Sequence, residues 1–219
     1  MPRTARAAVG GRCYHVLNRG NGQAEVFHKQ DDYAAFLRLL PLAVERVPMR
    51  ILAFCLLPNH FHLVLWPRGD DDLGRFMQWL LTSHVRRYHR HYQSSGHVWQ
   101  GRFKAFPIQH DEHLLAVMRY VERNPLRANL VERAEDWRWS SLRDRLGGPS
   151  SGLLHPGPIA LPRNWVALVN RPQSEAELAA LRHSITRGAP YGSDHWRKLT
   201  ATRLGLESSL RPRGRPSKK

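Results

Sequence analysis

Residues 51–66 read ILAFCLLPNHFHLVLW and begin with the longest apolar run of the chain. Two apolar runs, Ile51–Leu57 and Phe61–Trp66, are separated by Pro58 and Asn59, which predicts two buried strands joined by a tight turn. No apolar run in the chain approaches the about 18 residues of a membrane span. The sequence therefore predicts a fold built around this hairpin.

Strand-like and helix-like segments alternate around the hairpin. The expected elements are a strand at 14–18, a helix over 31–44, a long helix over 72–88, a strand or hairpin near 98–108 and a helix over 111–123. This order predicts an α+β fold, in which helices cover one face of a mostly antiparallel sheet.

Glycine and proline residues near 147–158 divide the chain. We expect a first domain over 1–145, a Gly/Pro-rich linker over 146–170 and a helical accessory region over 171–219 with a basic tail. Within that tail, the sequence PRGRP resembles an AT-hook core, in which Arg213 and Arg215 enter a narrow minor groove. The alternative is a disordered basic tail that binds nucleic acid without specificity.

The composition is strongly basic: 34 Lys and Arg against 18 Asp and Glu give a formal charge of +16 over 219 residues. Such an excess predicts a polyanionic partner, and a membrane surface is excluded because no apolar face accompanies the charge. Cys13 and Cys55 do not have the spacing of a zinc site, and no apolar segment follows the basic N-terminus as in a signal peptide. We therefore expect a cytoplasmic, nucleoid-associated protein.

One stretch without acidic residues, Leu73–Gln109, mixes basic and aromatic side chains. Basic groups neutralise phosphates and flat rings accept unstacked bases, so this stretch predicts binding of single-stranded or hairpin DNA. The alternative is a solvated helix face above core aromatic residues. The expected DNA contacts are Arg75, Arg86, Arg87, Arg90, Arg102 and Lys104.

His60 and His62 stand at the start of the second strand of the hairpin. Side chains two residues apart on a strand share a face, so both imidazoles point one way while Phe61 packs the other way. Two converging imidazoles can hold a divalent metal. A histidine pair of this spacing without a metal is the common alternative.

Tyr120 and Asn124 lie one turn apart on the helix predicted over 111–123. Both fall on a flank away from its apolar stripe, which would leave the tyrosine available for chemistry and the amide available as an oxygen ligand. Asn124 could instead be the N-cap of a helix with Pro125 at its first position, and Tyr120 could be an exposed tyrosine without a role.

Several motifs together resemble the HUH single-tyrosine transposases, and most of all their REP-associated branch. They are YHVLNRGN at 14–21, LPNHFHLVL at 57–65, GRFK at 101–104, YVERNPLRANLV at 120–131 and EDWRWSS at 135–141. The resemblance covers about residues 12–143. It implies the ferredoxin-like HUH nuclease sheet, with His60 and His62 as the metal-binding pair, Tyr120 as nucleophile and Asn124 completing the metal site.

The resemblance also implies a reaction and partners. Tyr120 would attack single-stranded, hairpin-bearing DNA of repeated palindromic elements with Mg²⁺ or Mn²⁺, leaving a 5′-phosphotyrosine and a free 3′-hydroxyl. The protein would act as a monomer or a homodimer. A noncatalytic DNA-binding regulator and a metal-dependent nuclease without a covalent step stay open as alternatives. Tyr88 and Tyr92 form a rival pair, but Tyr88 continues an apolar stripe, so we favour Tyr120.

Overall fold

The computed structural model describes residues 8–148 and 152–211. Its centre is a four-stranded antiparallel sheet with the strand order β2-β3-β1-β4. The strands are β1 Cys13–Arg19, β2 Met49–Leu57, β3 His60–Pro67 and β4 Lys104–Ile108. The predicted hairpin is the β2–β3 pair, in which Leu57 lies opposite His60.

The helices connect and cover these strands. In the described residues they are α1 Gln30–Arg46, α2 Asp72–Tyr92, α3 Glu112–Glu122, α4 Asn124–Arg127, α5 Ser141–Arg145, α6 Trp165–Asn170, α7 Glu175–Arg187, α8 Asp194–Leu204 and α9 Glu207–Leu210. Within the same residues, none of these helices has both the length and the apolar character needed to cross a bilayer.

The order β1-α1-β2-β3-α2-β4, with β1 and β3 central, is that of a ferredoxin-like sheet. The predicted α+β class is therefore confirmed. α1 and α2 pack against each other and against one face of the sheet. Phe61, Leu63 and Leu65 of β3 meet Phe36 of α1 and Phe76 of α2 in this first core, and all five are fully buried.

Helices also cover the second face of the sheet, whereas the sequence pattern predicts them on one face only. Val64 and Phe106 belong to a second core together with Leu114 of α3, Val169 of α6 and Leu181 of α7. The reason lies in the strands, because β2 is buried along nearly its whole length. A strand that is apolar on both sides needs cover on both faces.

The stretch predicted to be a linker contains ordered structure in its described part. The backbone N–H of His155 donates to the carbonyl oxygen of Ile51 at 2.8 Å, and Trp165 of α6 is buried in the second core. Farther along, the backbone N–H of Tyr191 donates to the carbonyl oxygen of Pro107, and its carbonyl oxygen accepts from the N–H of Gln109. Tyr191 thus pairs alongside Ile108 at the end of β4. The division of the chain into domains stays a prediction. Arg213 and Arg215 of the predicted AT-hook lie outside the described residues.

Candidate active site

Three histidines lie on the second face of the sheet. In β3, His60 pairs with Arg19 and His62 with Leu17, while His15 of β1 pairs with Val64. Because side chains alternate, His15, His60 and His62 all point away from the first core. The rings of His60 and His62 are 5.0 Å apart between centroids and nearly perpendicular. The alternation therefore brings the two imidazoles together, as the sequence predicts.

The Nδ1 atoms of the His60 and His62 rings both form hydrogen bonds within the protein. His60 Nδ1 lies 2.6 Å from the side-chain oxygen of Asn59, and because that oxygen only accepts, Nδ1 carries the proton. His62 Nδ1 lies 2.9 Å from Nε2 of His15. Such hydrogen bonds orient metal-binding imidazoles, and they leave the Nε2 atoms of His60 and His62 for an ion.

Burial keeps both imidazoles neutral. Burial, together with the nearby charges of Arg19 and Arg127, lowers the pKa of His60 to about 4. Burial also lowers the pKa of His62 well below its ordinary value, with smaller contributions from His60, His15 and Arg127. Neutral rings near pH 7 are what metal coordination requires.

Tyr120 of α3 lies against these histidines. Its ring meets the His62 ring edge-on, with 5.8 Å between centroids, and the His15 ring at 6.3 Å. The residue is only 6% exposed, so the prediction that it lies off the packing face is wrong. α3 packs between the sheet and α6, and this buries a wider band of the helix than its apolar stripe.

Asn124 begins α4, one turn after Tyr120, and is buried. Its side-chain oxygen accepts a hydrogen bond from Nη2 of Arg127 at 2.8 Å, so the side chain does not act as an N-cap. Its Nδ2 is buried without a hydrogen-bond partner in the described residues. The guanidinium of Arg127 lies 4.1 Å from the centre of the Tyr120 ring.

His15 and Arg127 are not among the site residues predicted from the sequence. Both stand inside motifs that carry the family resemblance, His15 in YHVLNRGN and Arg127 in YVERNPLRANLV. Their place in these motifs was the signal in the sequence that could have pointed to them. Their roles depend on contacts with His62 and Tyr120, which only the folded chain brings within reach.

The donor set fits a divalent cation. His60 and His62 offer two neutral nitrogens, and the Asn124 oxygen keeps a second lone pair beside its bond to Arg127. Two imidazoles and one amide oxygen suit Mn²⁺ and admit Mg²⁺, which favours oxygen ligands and retains water.

A second group of possible ligands lies at the start of α3. Asp111, Glu112 and His113 bring one ligand atom each to within 4.8 Å of one another. Asp111 already accepts from the backbone N–H of His113 and lies 2.8 Å from its Nδ1, as expected of an N-cap. The group lies about two helical turns before Tyr120 and is separate from the histidine pair.

The rival tyrosines lie elsewhere. The Tyr88 hydroxyl is 2.9 Å from Nε2 of His28, and the Tyr92 hydroxyl donates to Asp32 at 2.5 Å. These bonds tie the end of α2 to the start of α1 in the layer opposite His62. The geometry supports Tyr120 over this pair.

The predicted DNA contacts separate into two groups. On the face opposite Tyr120, α2 carries Arg75, Arg86, Arg87 and Arg90. Arg75 forms an ion pair with Asp72 at 3.4 Å, and Arg87 forms one with Asp32 at 3.7 Å.

Lys104, in contrast, lies on the face of the site. Lys104 and His62 are both opposite Leu17, in the strands on either side of it, so they share one cross-strand row and one face. Given the usual strand spacing, their backbones are about 10 Å apart. Arg102, exposed in the loop that leads to Lys104, instead lines a cavity with Arg75 and Val85 of α2 on the opposite face.

The model of a transposase family described as "Transposase IS200 like" matches residues 9–124. A candidate REP-associated tyrosine transposase of Haemophilus influenzae is 32% identical over 108 residues, which are 44% of this chain and 61% of that protein. The chain thus matches about three fifths of that relative.

Two solved structures are similar. A REP-associated tyrosine transposase bound to a REP hairpin aligns with a TM-score of 0.56 at 20% identity, over 74% of this chain and 93% of that one. A candidate transposase of Deinococcus radiodurans aligns with a TM-score of 0.39 at 19% identity, over 55% and 96% of the two chains. The first supports the fold. Because the family match spans more than half of the sequence, the chain belongs to the IS200-like transposase family, as its resemblance to the REP-associated branch predicts.

Proposed function

We propose that the protein is a DNA transposase that cleaves and rejoins single-stranded DNA through a covalent tyrosine intermediate. One observation carries the proposal: the Tyr120 ring lies against His62, beside a pair of neutral imidazoles whose Nε2 atoms are available. Membership of the transposase family supports DNA as the substrate. The REP hairpin bound by the similar structure supports a hairpin-bearing strand from repeated palindromic elements.

In the proposed reaction, the Tyr120 hydroxyl oxygen attacks the scissile phosphorus. A Tyr–O–P bond forms, and the bond from phosphorus to the 3′ oxygen breaks. The phenol gives up its proton to solvent, and the departing oxygen takes one to become a 3′-hydroxyl. Because the new phosphotyrosine bond conserves the phosphodiester energy, a 3′-hydroxyl can attack it and rejoin the strand.

The residues of the chain supply binding and orientation. His60, His62 and Asn124 would hold Mg²⁺ or Mn²⁺, an ion that polarises phosphate oxygens and offsets their developing charge. The charge of Lys104, in the same row as His62, suits a neighbouring phosphate of the cleaved strand. Arg102, which lines a cavity beside α2, would contact DNA on that other side of the sheet.

The remaining basic residues would bind DNA away from the cut. The group on α2 suits a hairpin stem that passes around the opposite layer, because Arg86 and Arg90 are exposed there. Arg213 and Arg215 would contact adjoining duplex. The reaction is compatible with a monomer or with a homodimer.

The decisive experiment uses labelled hairpin-bearing single-stranded DNA with Mn²⁺ or Mg²⁺. The protein is expected to form an adduct that survives denaturing electrophoresis. Tyr120→Phe should form none, because it lacks the attacking oxygen, yet should bind the same DNA. Tyr88→Phe is the matched control, since it removes a hydroxyl from the opposite layer and should keep adduct formation.

Other outcomes favour other functions. Cleavage without an adduct would indicate a metal-dependent nuclease, and binding without cleavage would indicate a DNA-binding regulator. An adduct that survived Tyr120→Phe but disappeared in Tyr88→Phe would show that the nucleophile is misassigned.

A further inference from the structure

Arg127 is a cation beside the nucleophile without an acidic partner. No carboxylate of the described ranges lies within 4.0 Å of its guanidinium nitrogens. Two arginines nearby in sequence differ from it, because Arg133 pairs with Glu135 and Arg145 pairs with Glu122. A charge placed in an active site without a counter-ion is suited to an anionic substrate group.

The position of Arg127 connects it to the groups of the site. Its guanidinium lies 4.1 Å from the centre of the Tyr120 ring, and Nη2 donates to Asn124. Its positive charge also contributes to the lowered pKa values of His60 and His62. The guanidinium is therefore near the nucleophile and near the predicted metal ligands at once.

Unused hydrogen-bond donors are gathered at this point. A guanidinium has five N–H donors, and Arg127 uses one of them in the bond to Asn124, while its nitrogens are not sealed from solvent. Asn124 Nδ2, a second donor, is buried without an acceptor in the part of the chain that the structure describes. Donors without acceptors, next to a cation, suit an oxyanion.

We propose that Arg127 is a catalytic residue that holds the scissile phosphate. Its guanidinium donates to a non-bridging oxygen of the phosphodiester that Tyr120 attacks, and it stabilises the charge that grows on these oxygens in the transition state. Arginine suits this task because its planar fork stays charged and matches phosphate geometry. The inference rests on the proposed function, since it concerns the same reaction.

The first test measures the rate of adduct formation in a single turnover. Arg127→Ala is expected to lower that rate by about 10²- to 10³-fold, and Arg127→Lys should recover part of it because a charge remains. The affinity for DNA should change little. Arg38→Ala is the matched control, because it removes an exposed arginine from α1 in the opposite layer and should leave the rate unchanged.

The second test changes the charge of the substrate. A methylphosphonate at the scissile position has a methyl group in place of one anionic oxygen. On this substrate, the wild-type protein and Arg127→Ala should differ less than tenfold, because the charge that Arg127 offsets is gone. An equal loss on both substrates would overturn the proposal.

The third test separates a direct role from an effect through Asn124. Without DNA, Arg127→Ala should bind Mn²⁺ at least as tightly as the wild type in calorimetry, because a nearby positive charge has been removed. Weaker binding would overturn the proposal by making Arg127 a support for the metal ligand. Absence of any wild-type adduct would instead refute the proposed function, whereas a wild-type adduct with an unchanged Arg127→Ala rate would refute this inference alone.

Discussion

His15 is a buried imidazole in the middle of a central strand, and its hydrogen bond to His62 links it to the metal-binding pair. It is completely buried, and burial lowers its pKa to about 3. Its Nε2 lies 2.9 Å from His62 Nδ1, and its own Nδ1 has no partner in the described structure. If His62 binds a metal through Nε2, its Nδ1 carries the proton and donates to His15. His15 would then fix both the tautomer and the orientation of His62.

This arrangement predicts that His15 sets the metal affinity. His15→Phe keeps a ring in the strand but removes the acceptor, and Mn²⁺ binding measured by calorimetry should weaken about 10- to 100-fold. His15→Gln should recover part of the loss, because an amide oxygen can accept from His62. Equal affinities in all three proteins, each with an unchanged circular dichroism spectrum, would show that the contact does not orient the ligand.

At the scale of elements, Glu122 joins α3 to the helices that follow it. Its carboxylate is fully buried and accepts hydrogen bonds from the hydroxyl of Ser141, Nε of Arg145 and the indole N–H of Trp165. One side chain thus connects α3, which carries Tyr120, to α5 and α6. A buried charge with a paired cation and two further donors is stable only while all its partners remain.

Replacing this carboxylate should destabilise the fold. Glu122→Gln removes the charge that pairs with Arg145 and replaces one acceptor by a donor, so the free energy of unfolding in urea should fall by about 3 kcal/mol. Glu112→Gln on the same helix is the control, because Glu112 is exposed and should change stability by no more than about 0.5 kcal/mol. Equal effects of the two variants would contradict a joining role for Glu122.

The sequence predicts most of the strands and helices, but it does not predict which helices pack on the second face of the sheet. The β2–β3 hairpin and helices α1, α2 and α3 follow from apolar periodicity and turn residues that lie close together in the sequence. The cover of the second face depends on Trp165 and Leu181, which are more than 100 residues from β2. No local pattern reports such a contact, and this is why the helices were expected on one face and Tyr120 was expected outside the packed region.

At the scale of the whole molecule, the sheet separates the positive charge into two layers. The face with His62 and Tyr120 carries Lys104, whereas the exposed arginines of α2 lie behind the opposite face. An acid-free stretch that is continuous in sequence is therefore divided in space. A DNA strand bound at the site must pass around an end of the sheet if it is also to contact α2.

The molecule also buries several imidazoles in the neutral form, and this gives its stability a defined pH dependence. Burial lowers the pKa of His15 to about 3, and burial together with nearby arginine charges lowers those of His60 and His84 to about 4. An unfolded histidine has a pKa of about 6.5. Between pH 6.5 and about 4, the unfolded chain therefore binds protons that the folded chain does not, and stability falls as the pH falls through this window.

Urea unfolding of the metal-free protein at pH 7.5 and pH 5.0 should detect this difference. At pH 5.0, each of the three histidines should lower the free energy of unfolding by about 2 kcal/mol. This loss should disappear above pH 6.5. His84→Phe is the informative variant, because His84 lies among Phe27, Phe36 and Trp99 in the first core, away from the site. Its unfolding free energy should depend less on pH than that of the wild type. Equal unfolding free energies at the two pH values in the wild type would mean that folding does not lower the pKa of the buried rings and that they become protonated at pH 5.0 in the folded protein.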